Sequence, residues 1–217
     1  MNQKSIYFQI PINYYSGVTT TDPRISFIKD ANRLRAASIC YGHLDIMQHF
    51  IDHSTKEFLL VMEDDIIIRK SLIEDINKII DIVKQDHYDL FLLGYLCSNP
   101  IDTYSNFIQI HTKYSTDEFK VIDNYPKNTW GAQMYIITRK QCKVLLEKYS
   151  TGYLEKSLND SGMIPFSADW IITKEGKYGL VYPPRAAESY IENQYEDEYQ
   201  NLSRYNCNEF IQKERYI

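Results

Sequence analysis

The sequence lacks any apolar run that approaches the ~20 residues of a membrane-spanning helix. Its first residues, 1–12, also lack the long apolar core and the cleavage site of a secretory signal peptide. From these two absences we expect a cytoplasmic protein without a membrane span. Positive charge is not in excess either, because the 217 residues include 24 Lys and Arg against 29 Asp and Glu. The net charge of −5 and the lack of a basic patch argue against nucleic-acid binding.

Cys-x-x-Cys pairs are missing as well, although the sequence contains four cysteines. Such pairs are a common spacing of zinc ligands and of redox disulfides. The cysteines are widely spaced and mostly lie within apolar patterns: Cys40, Cys97, Cys142 and Cys207. We therefore expect buried thiols rather than zinc ligands or disulfides.

Repeats, low-complexity tracts and linkers are also absent, so the sequence predicts a single domain, 1–217, with a sizeable core. Apolar strands alternate with amphipathic helices, which favours an α/β fold with a mixed, mainly parallel sheet flanked by helices. The predicted strands lie at 6–10, 58–62, 66–68, 88–96, 130–138 and 179–182, with possible short strands at 107–111 and 119–122. The predicted helices lie at 29–53, from 71 onward behind a Ser71–Glu74 capping box, at 138–149 and at 168–174, and a loop is predicted at 150–166.

Three consecutive acids, Glu63, Asp64 and Asp65, interrupt two apolar runs that are typical of buried strands. Adjacent carboxylates at such a place repel one another and lose hydration unless a positive charge lies between them. A divalent cation that takes its other ligands from water and substrate phosphates removes this conflict. In an extended strand, Glu63 and Asp65 point to one face and Asp64 to the other. The alternative is a solvated acidic turn between two strands.

The chain carries four blocks in order: 36–43 (AASICYGH), 60–65 (LVMEDD), 131–139 (GAQMYIITR) and 168–170 (ADW). They resemble the glycosyltransferases of family 25, which include lipooligosaccharide and procollagen galactosyltransferases. The corresponding family blocks are a G-x-x-x-C-x-x-S-H helix, an apolar-L-E-D-D signature, a G-x-x-A-Y-h-I-S-R strand-to-helix block and an h-D block, where h is apolar. The order and spacing of the four blocks make the resemblance fairly specific.

The resemblance implies a GT-A-type (Rossmann-like) fold, a UDP-sugar donor, and Mn²⁺ or Mg²⁺ at the acidic motif. In that scheme Asp65 is the first candidate for metal ligand, Glu63 is the second, and Asp64 reaches a ribose hydroxyl. The metal acts as a Lewis acid that neutralises the charge growing on the departing UDP.

Further residues acquire candidate roles on the donor side through the same resemblance. His43 and Arg33 would bind the donor, although a structural histidine and a solvated arginine are the alternatives. Trp130 and Gly131 would lie near the donor sugar, where glycine permits close approach of the backbone, and a β-bulge is the alternative explanation for the glycine.

Asp169 is the main candidate for a general base that takes the proton of the acceptor hydroxyl. Its position between Phe166 and Trp170 predicts a raised pKa and a surface for sugar stacking. The alternative is a helix-start carboxylate stabilised by the helix dipole. Glu188 is the reserve candidate for the base.

Two features depart from the family pattern. The loop at 14–23 contains no arginine, and only Arg24 follows it, whereas the family has an Arg-rich loop that helps hold the nucleotide. No histidine follows His111, whereas many GT-A enzymes use a C-terminal histidine as a further metal ligand.

The sequence therefore predicts a metal-dependent glycosyltransferase that moves a hexose, galactose or glucose, from a UDP-sugar to a hydroxyl of a glycan or of hydroxylysine. The two departures favour an alternative, a non-catalytic homologue that acts as a binding or interaction module. A nucleotidyltransferase is a third reading, but it needs a Gly-rich phosphate loop with a basic residue. Gly17 is the single glycine of residues 14–24.

Overall fold

The computed structural model describes residues 12–97, 108–125, 127, 129–149 and 152–188. The chain divides into two compact units, the first formed by Met1–Leu59 and Thr138–Lys174 and the second by Leu60–Ile137 and Glu175–Ile217. The predicted strand at 6–10 and Cys207 lie outside the described residues. That residues 1–217 form a single domain stays a prediction.

The helices are α1 (Ala31–His53), α2 (Leu72–Gln85), α3 (Arg139–Tyr149), α4 (Tyr153–Asn159) and α5 (Ala168–Ile171). The strands are β1 (Phe58–Met62), β2 (Ile66–Ile68), β3 (Leu90–Cys97), β4 (Thr112–Ser115), β5 (Lys120–Asp123), β6 (Thr129–Thr138), β7 (Tyr178–Tyr182) and β8 (Ala186–Glu188). Within the described part of the chain, no helix is both long and apolar enough to cross a membrane.

The first unit is helical, with α1 packed against α3 and α5, and α3 packed against α4. α1 begins after Asp30, whose side chain accepts a hydrogen bond from the backbone N–H of Arg33. Its buried side chains recur at three- and four-residue intervals, as an amphipathic helix requires. They are Ala37, Cys40, Tyr41, His43, Leu44, Met47 and Phe50.

The C-terminal end of α1 is held by Arg139 at the start of α3. Its guanidinium donates to the carbonyl oxygens of Phe50 at 3.1 Å and Ile51 at 3.2 Å, and also to that of Ser54. A further bond of 2.9 Å reaches the carbonyl of Lys56. Ile51 lies in the last turn of α1, where carbonyls lack intrahelical donors, so Arg139 ties the end of α1 to the start of α3.

The strands form one mixed sheet in which neighbours follow the order β1-β6-β3-β7-β5-β4, while β8 pairs with β2 and β3. The pairs β2–β8, β3–β6, β4–β5 and β5–β7 are antiparallel, and β3 is parallel to β7 and β8. The sheet is therefore mostly antiparallel, and the expectation of a mainly parallel sheet is wrong. Strand direction follows from pairing between distant segments, which the local alternation of strands and helices does not reveal.

The other predictions about local structure are partly confirmed and partly wrong. The buried thiols Cys40 and Cys142 are free, as expected, and the predicted cap of α3 is present, since the backbone N–H of Gln141 donates to Thr138 Oγ1 at 3.1 Å. Ser71 precedes α2 as predicted but makes no side-chain capping bond. Residues 108–111 are helical rather than extended, and the predicted loop at 150–166 contains α4.

Candidate functional site

The three acids form a turn between β1 and β2. Glu63 is half-buried, and Asp64 and Asp65 are exposed. The prediction that Glu63 and Asp65 share one face of a strand is therefore wrong. The physical reason is a change of partner: β1 pairs with β6, whereas β2 pairs with β8. The chain must leave one ladder before it joins the other, and the solvated turn makes that change.

The acidic turn is flanked by β6 at its start and by β8 at its end. The backbone N–H of Glu63 donates to the carbonyl of Gln133 in β6 at 2.9 Å. Immediately after the turn, Ile66 is the register partner of Glu188 in β8. The backbone of the reserve base candidate Glu188 thus runs beside the acidic turn, an association that the sequence did not predict.

Residues 131–133 form a bulge in β6. Two positions separate Gly94 from Leu96 on β3, whereas their partners Met134 and Trp130 on β6 are four positions apart. Gly131 lies in this bulge with φ +100. The bulge explanation for the glycine is thus supported, and bulges next to active sites commonly re-aim a side chain.

The side chain of Gln133 covers Gly131. A Cβ atom added at Gly131 would lie 2.0 Å from Gln133 Oε1 and 2.7 Å from its Nε2. The backbone conformation therefore disfavours other side chains at this position, and any Cβ there would have to displace the amide of Gln133. Trp130, the neighbouring candidate, is half-buried.

A buried ion pair fixes the approach to β8. Arg185 and Asp75 of α2 are 1% and 2% exposed, and Arg185 Nη2 lies 2.9 Å from Asp75 Oδ2. The backbone N–H of Arg185 donates to the carbonyl of Leu93 at 2.6 Å, and its own carbonyl accepts from the N–H of Arg69 at 2.9 Å. These contacts hold the segment that leads into β8, and hence Glu188, against the middle of the sheet.

Gly94 allows β8 to approach β3. Gly94 and Ala186 are register partners, and a Cβ atom at Gly94 would lie 3.1 Å from both Cβ and the carbonyl oxygen of Ala186. A larger residue at this position would push β8, and with it Glu188, away from β3.

The first unit carries the remaining candidates, Asp169, His43 and Arg33. His43 is buried in α1, and Arg33 is exposed, with its Nη1 3.5 Å from the carbonyl of Leu158. Asp169 is half-buried in the first turn of α5, as the helix-start alternative requires. The second unit thus contains the acidic turn, Gly131, Trp130 and the backbone of Glu188. Asp169, His43 and Arg33 belong to the first unit.

Asp169 lies in a buried electrostatic environment. Burial lowers the pKa of Lys174 to about 8, against the attraction of Asp169, which raises it. Burial, followed by repulsion from Asp169, raises the pKa of the Cys40 thiol far above its usual range. Asp169 thus interacts electrostatically with a buried thiol and with a desolvated lysine, and the raised pKa predicted for Asp169 itself stays a prediction.

Arg24, the arginine that follows the N-terminal loop, is engaged by two carboxylates. Its guanidinium forms ion pairs with Asp22 at 2.8 Å and Asp45 at 2.7 Å, and it stacks over the Tyr41 ring at 4.6 Å. Hydrogen bonds from Arg24 lower the pKa of Asp22 to about 2. A phosphate would have to compete with both carboxylates for this guanidinium.

The donor atoms of the acidic turn suit a hard divalent cation, because carboxylate oxygens are the ligands that Mn²⁺ and Mg²⁺ prefer. Among the residues that the structure describes, no cluster of three or more His, Cys, Asp or Glu side chains forms a metal-ligand set. A cation held at the turn would have to take most of its ligands from water or substrate oxygens.

The first unit also has a surface cavity of about 480 Å³. None of the predicted site residues lines this cavity, whose lining residues are Glu155, Lys156, Asn159, Asp160 and Met163. The acidic turn therefore remains the candidate site. A comparison with models of known protein families finds no match to the chain, and a comparison with curated proteins finds no matching relative.

Proposed function

We propose that the protein is a metal-dependent glycosyltransferase of the GT-A type. It transfers a hexose, galactose or glucose, from a UDP-sugar to a hydroxyl of a glycan or of hydroxylysine. The observation that carries this proposal is the acidic turn between β1 and β2, flanked by the bulge of β6 and by β8. Ordered sequence blocks that resemble family 25 supply the assignment of substrate.

In this proposal, Asp65 and Glu63 hold Mn²⁺ or Mg²⁺ at the turn. When bound, the cation supplies positive charge that stabilises the departing diphosphate. Asp64, which is exposed, accepts a hydrogen bond from a ribose hydroxyl. The exposure of Asp64 and Asp65 suits a site that must admit a charged nucleotide and release it after each turnover.

A carboxylate accepts the proton of the acceptor hydroxyl as that oxygen attacks the anomeric carbon. Glu188 is supported in this role by its register position beside the acidic turn. Asp169 is supported by its charged and buried surroundings in the first unit. Glu188→Gln and Asp169→Asn separate the two candidates, because loss of the base lowers kcat by about 100-fold or more while leaving UDP affinity unchanged.

The test is UDP release from a panel of UDP-sugars in the presence of Mn²⁺. We expect release from at least one donor, and a drop of at least about 100-fold in the double variant Glu63→Gln, Asp65→Asn. Asp81→Asn, which removes an exposed carboxylate from α2, is the matched control and leaves the rate unchanged. No UDP release from any donor, together with no thermal shift on adding UDP, contradicts the proposal.

A non-catalytic homologue is the second candidate, and the ion pairs of Arg24 favour it. With its guanidinium held by Asp22 and Asp45, this arginine is not presented to a diphosphate. The second candidate predicts a folded protein that binds neither UDP nor Mn²⁺, whereas the glycosyltransferase binds both.

A further inference from the structure

Gln133 has a buried acceptor without a donor. The residue is 2% exposed, and its Oε1 has no hydrogen-bond partner among the described residues. Most buried polar atoms in folded proteins are hydrogen-bonded, because a buried acceptor that loses water without gaining a donor destabilises the fold. An acceptor left in this state at the edge of a candidate site is a group that a ligand can satisfy.

The backbone around Gln133 connects this acceptor to the acidic turn. The carbonyl of Gln133 accepts the N–H of Glu63, and its side chain lies over Gly131. Gln133 and Gly131 both belong to the β6 bulge. A bulge changes where a side chain points relative to a regular strand. The backbone hydrogen bond therefore places Gln133, and the neutral amide it carries, next to Glu63 at the start of the acidic turn.

We infer that Gln133 is a sugar-binding residue, and that its Oε1 accepts a hydrogen bond from a hydroxyl of the donor hexose. This inference rests on the proposed function. A neutral amide suits a sugar hydroxyl, since a hexose is uncharged and offers O–H donors, while the carboxylates of the turn serve the cation and diphosphate. Binding supplies the donor that the buried oxygen lacks.

The same chemistry determines selectivity between sugars. A site with a buried polar group rejects an analogue that lacks the matching hydroxyl, because the group is then buried again without a partner. A UDP-deoxyhexose that lacks the contacted hydroxyl is therefore a poorer ligand than its parent UDP-hexose, and the difference disappears when the acceptor at position 133 is removed.

The experiment uses Gln133→Met, which keeps the length of the side chain and removes its acceptor. We expect the Tm of the ligand-free protein to rise by about 2–4 °C, because an unsatisfied buried group is lost. In Mn²⁺, affinity for the UDP-hexose falls about three- to tenfold, the contribution of one hydrogen bond. Affinities for UDP and for Mn²⁺ alone stay unchanged.

Gln141→Met is the matched control. Gln141 of α3 is 3% exposed, and its Nε2 also lacks a hydrogen-bond partner among the described residues. This variant raises the Tm in the same way but leaves the affinity for the UDP-hexose unchanged. Gln133→Leu, a second apolar replacement, repeats the measurement if Gln133→Met does not fold.

Three outcomes overturn the inference, and each is distinct. Unchanged UDP-hexose affinity in the position 133 variants shows a structural role only. Weakened binding of Mn²⁺ or of UDP shows that the oxygen serves the cation or the nucleotide rather than the sugar. A wild-type protein that binds no UDP-sugar removes the proposed function itself, a result seen before any variant is made.

Discussion

Arg185 and Asp75 form an ion pair of 2.9 Å that is almost completely buried, with side chains 1% and 2% exposed. Arg185 Nη2 also donates to the carbonyl of Glu118 at 2.9 Å. β8 begins directly after Arg185. It runs through Ala187 to Glu188, which lies opposite Ile66. The ion pair thus anchors the strand that brings a carboxylate residue beside the acidic turn.

Removal of one partner of this pair should destabilise the protein strongly. Asp75→Asn or Arg185→Met leaves the other charge buried, and we expect a loss of about 3–5 kcal/mol in the free energy of unfolding. The double variant Arg185→Met, Asp75→Leu should recover most of that loss, because both buried charges are gone. Denaturant unfolding measures all three, and single-variant losses below about 1 kcal/mol would contradict the buried pair.

Alanine at Gly131 should be far more damaging than alanine at Gly152. Both glycines have positive φ, +100 and +67, but only Gly131 has a neighbour where Cβ would stand, Gln133 Oε1 at 2.0 Å. Gly152→Ala should lower stability by about 1–2 kcal/mol through backbone strain alone. Gly131→Ala should lower it by at least about 1 kcal/mol more through overpacking. Equal losses in thermal or denaturant unfolding would show that the Gln133 contact is not tight.

Arg139→Ala should destabilise the first unit by about 2–4 kcal/mol, because several carbonyls at the end of α1 lose a charged donor. Arg139→Lys should recover only part of this loss, since one ammonium group cannot reproduce the planar fork of donors. Hydrogen exchange of the last turn of α1 reports the effect locally. Full recovery by lysine would indicate that charge alone, rather than the fork, holds the helix end.

The pKa of Lys174 links stability to pH. Its folded value of about 8 lies below its ordinary value of 10.5, so the unfolded chain binds more protons between these two values. The free energy of unfolding therefore gains a contribution from deprotonation of Lys174 in the folded state. This contribution is absent below pH 8 and increases as the pH rises above it. The stability of the wild type relative to Lys174→Met should rise from pH 8 to pH 9 by at most about 1 kcal/mol.

Asp169→Asn provides the companion test of this pairing. Without the carboxylate, burial acts unopposed, so the pKa of Lys174 should fall below that of the wild type. The pH dependence of Lys174 acylation measures the shift. An unchanged or raised value would show that Asp169 does not act on Lys174.

The sequence predicted elements where local pattern and burial agree. β3 is an uninterrupted apolar run because Leu90, Phe91 and Leu92 are fully buried, and the long apolar face of α1 has the helical period. β4 and β8 were missed because their sequences, TKYS and AAE, contain no run of large apolar residues, unlike the equally short β2. Strand direction was also missed, since it depends on pairing between segments far apart in the sequence.

The candidate site was predictable only in its charged part. Three acids between apolar runs stand out in a sequence, but their turn conformation depends on the change of ladder from β6 to β8. Gln133 could have been identified from the sequence, because it is a polar residue inside the buried run of β6. The buried role of Arg185 could not, because its partner Asp75 is more than a hundred positions away and nothing local indicates that either side chain is buried.

Calorimetric binding of UDP with and without Mn²⁺ tests the central claim most directly. The account predicts that the wild type binds UDP more tightly in Mn²⁺ than in its absence. In the double variant Glu63→Gln, Asp65→Asn, which remains folded because Asp65 is exposed and Glu63 only half-buried, the effect of Mn²⁺ disappears. Equal UDP affinity with and without Mn²⁺ in the wild type, or an Mn²⁺ effect that survives in the double variant, would contradict a metal-diphosphate site at the acidic turn.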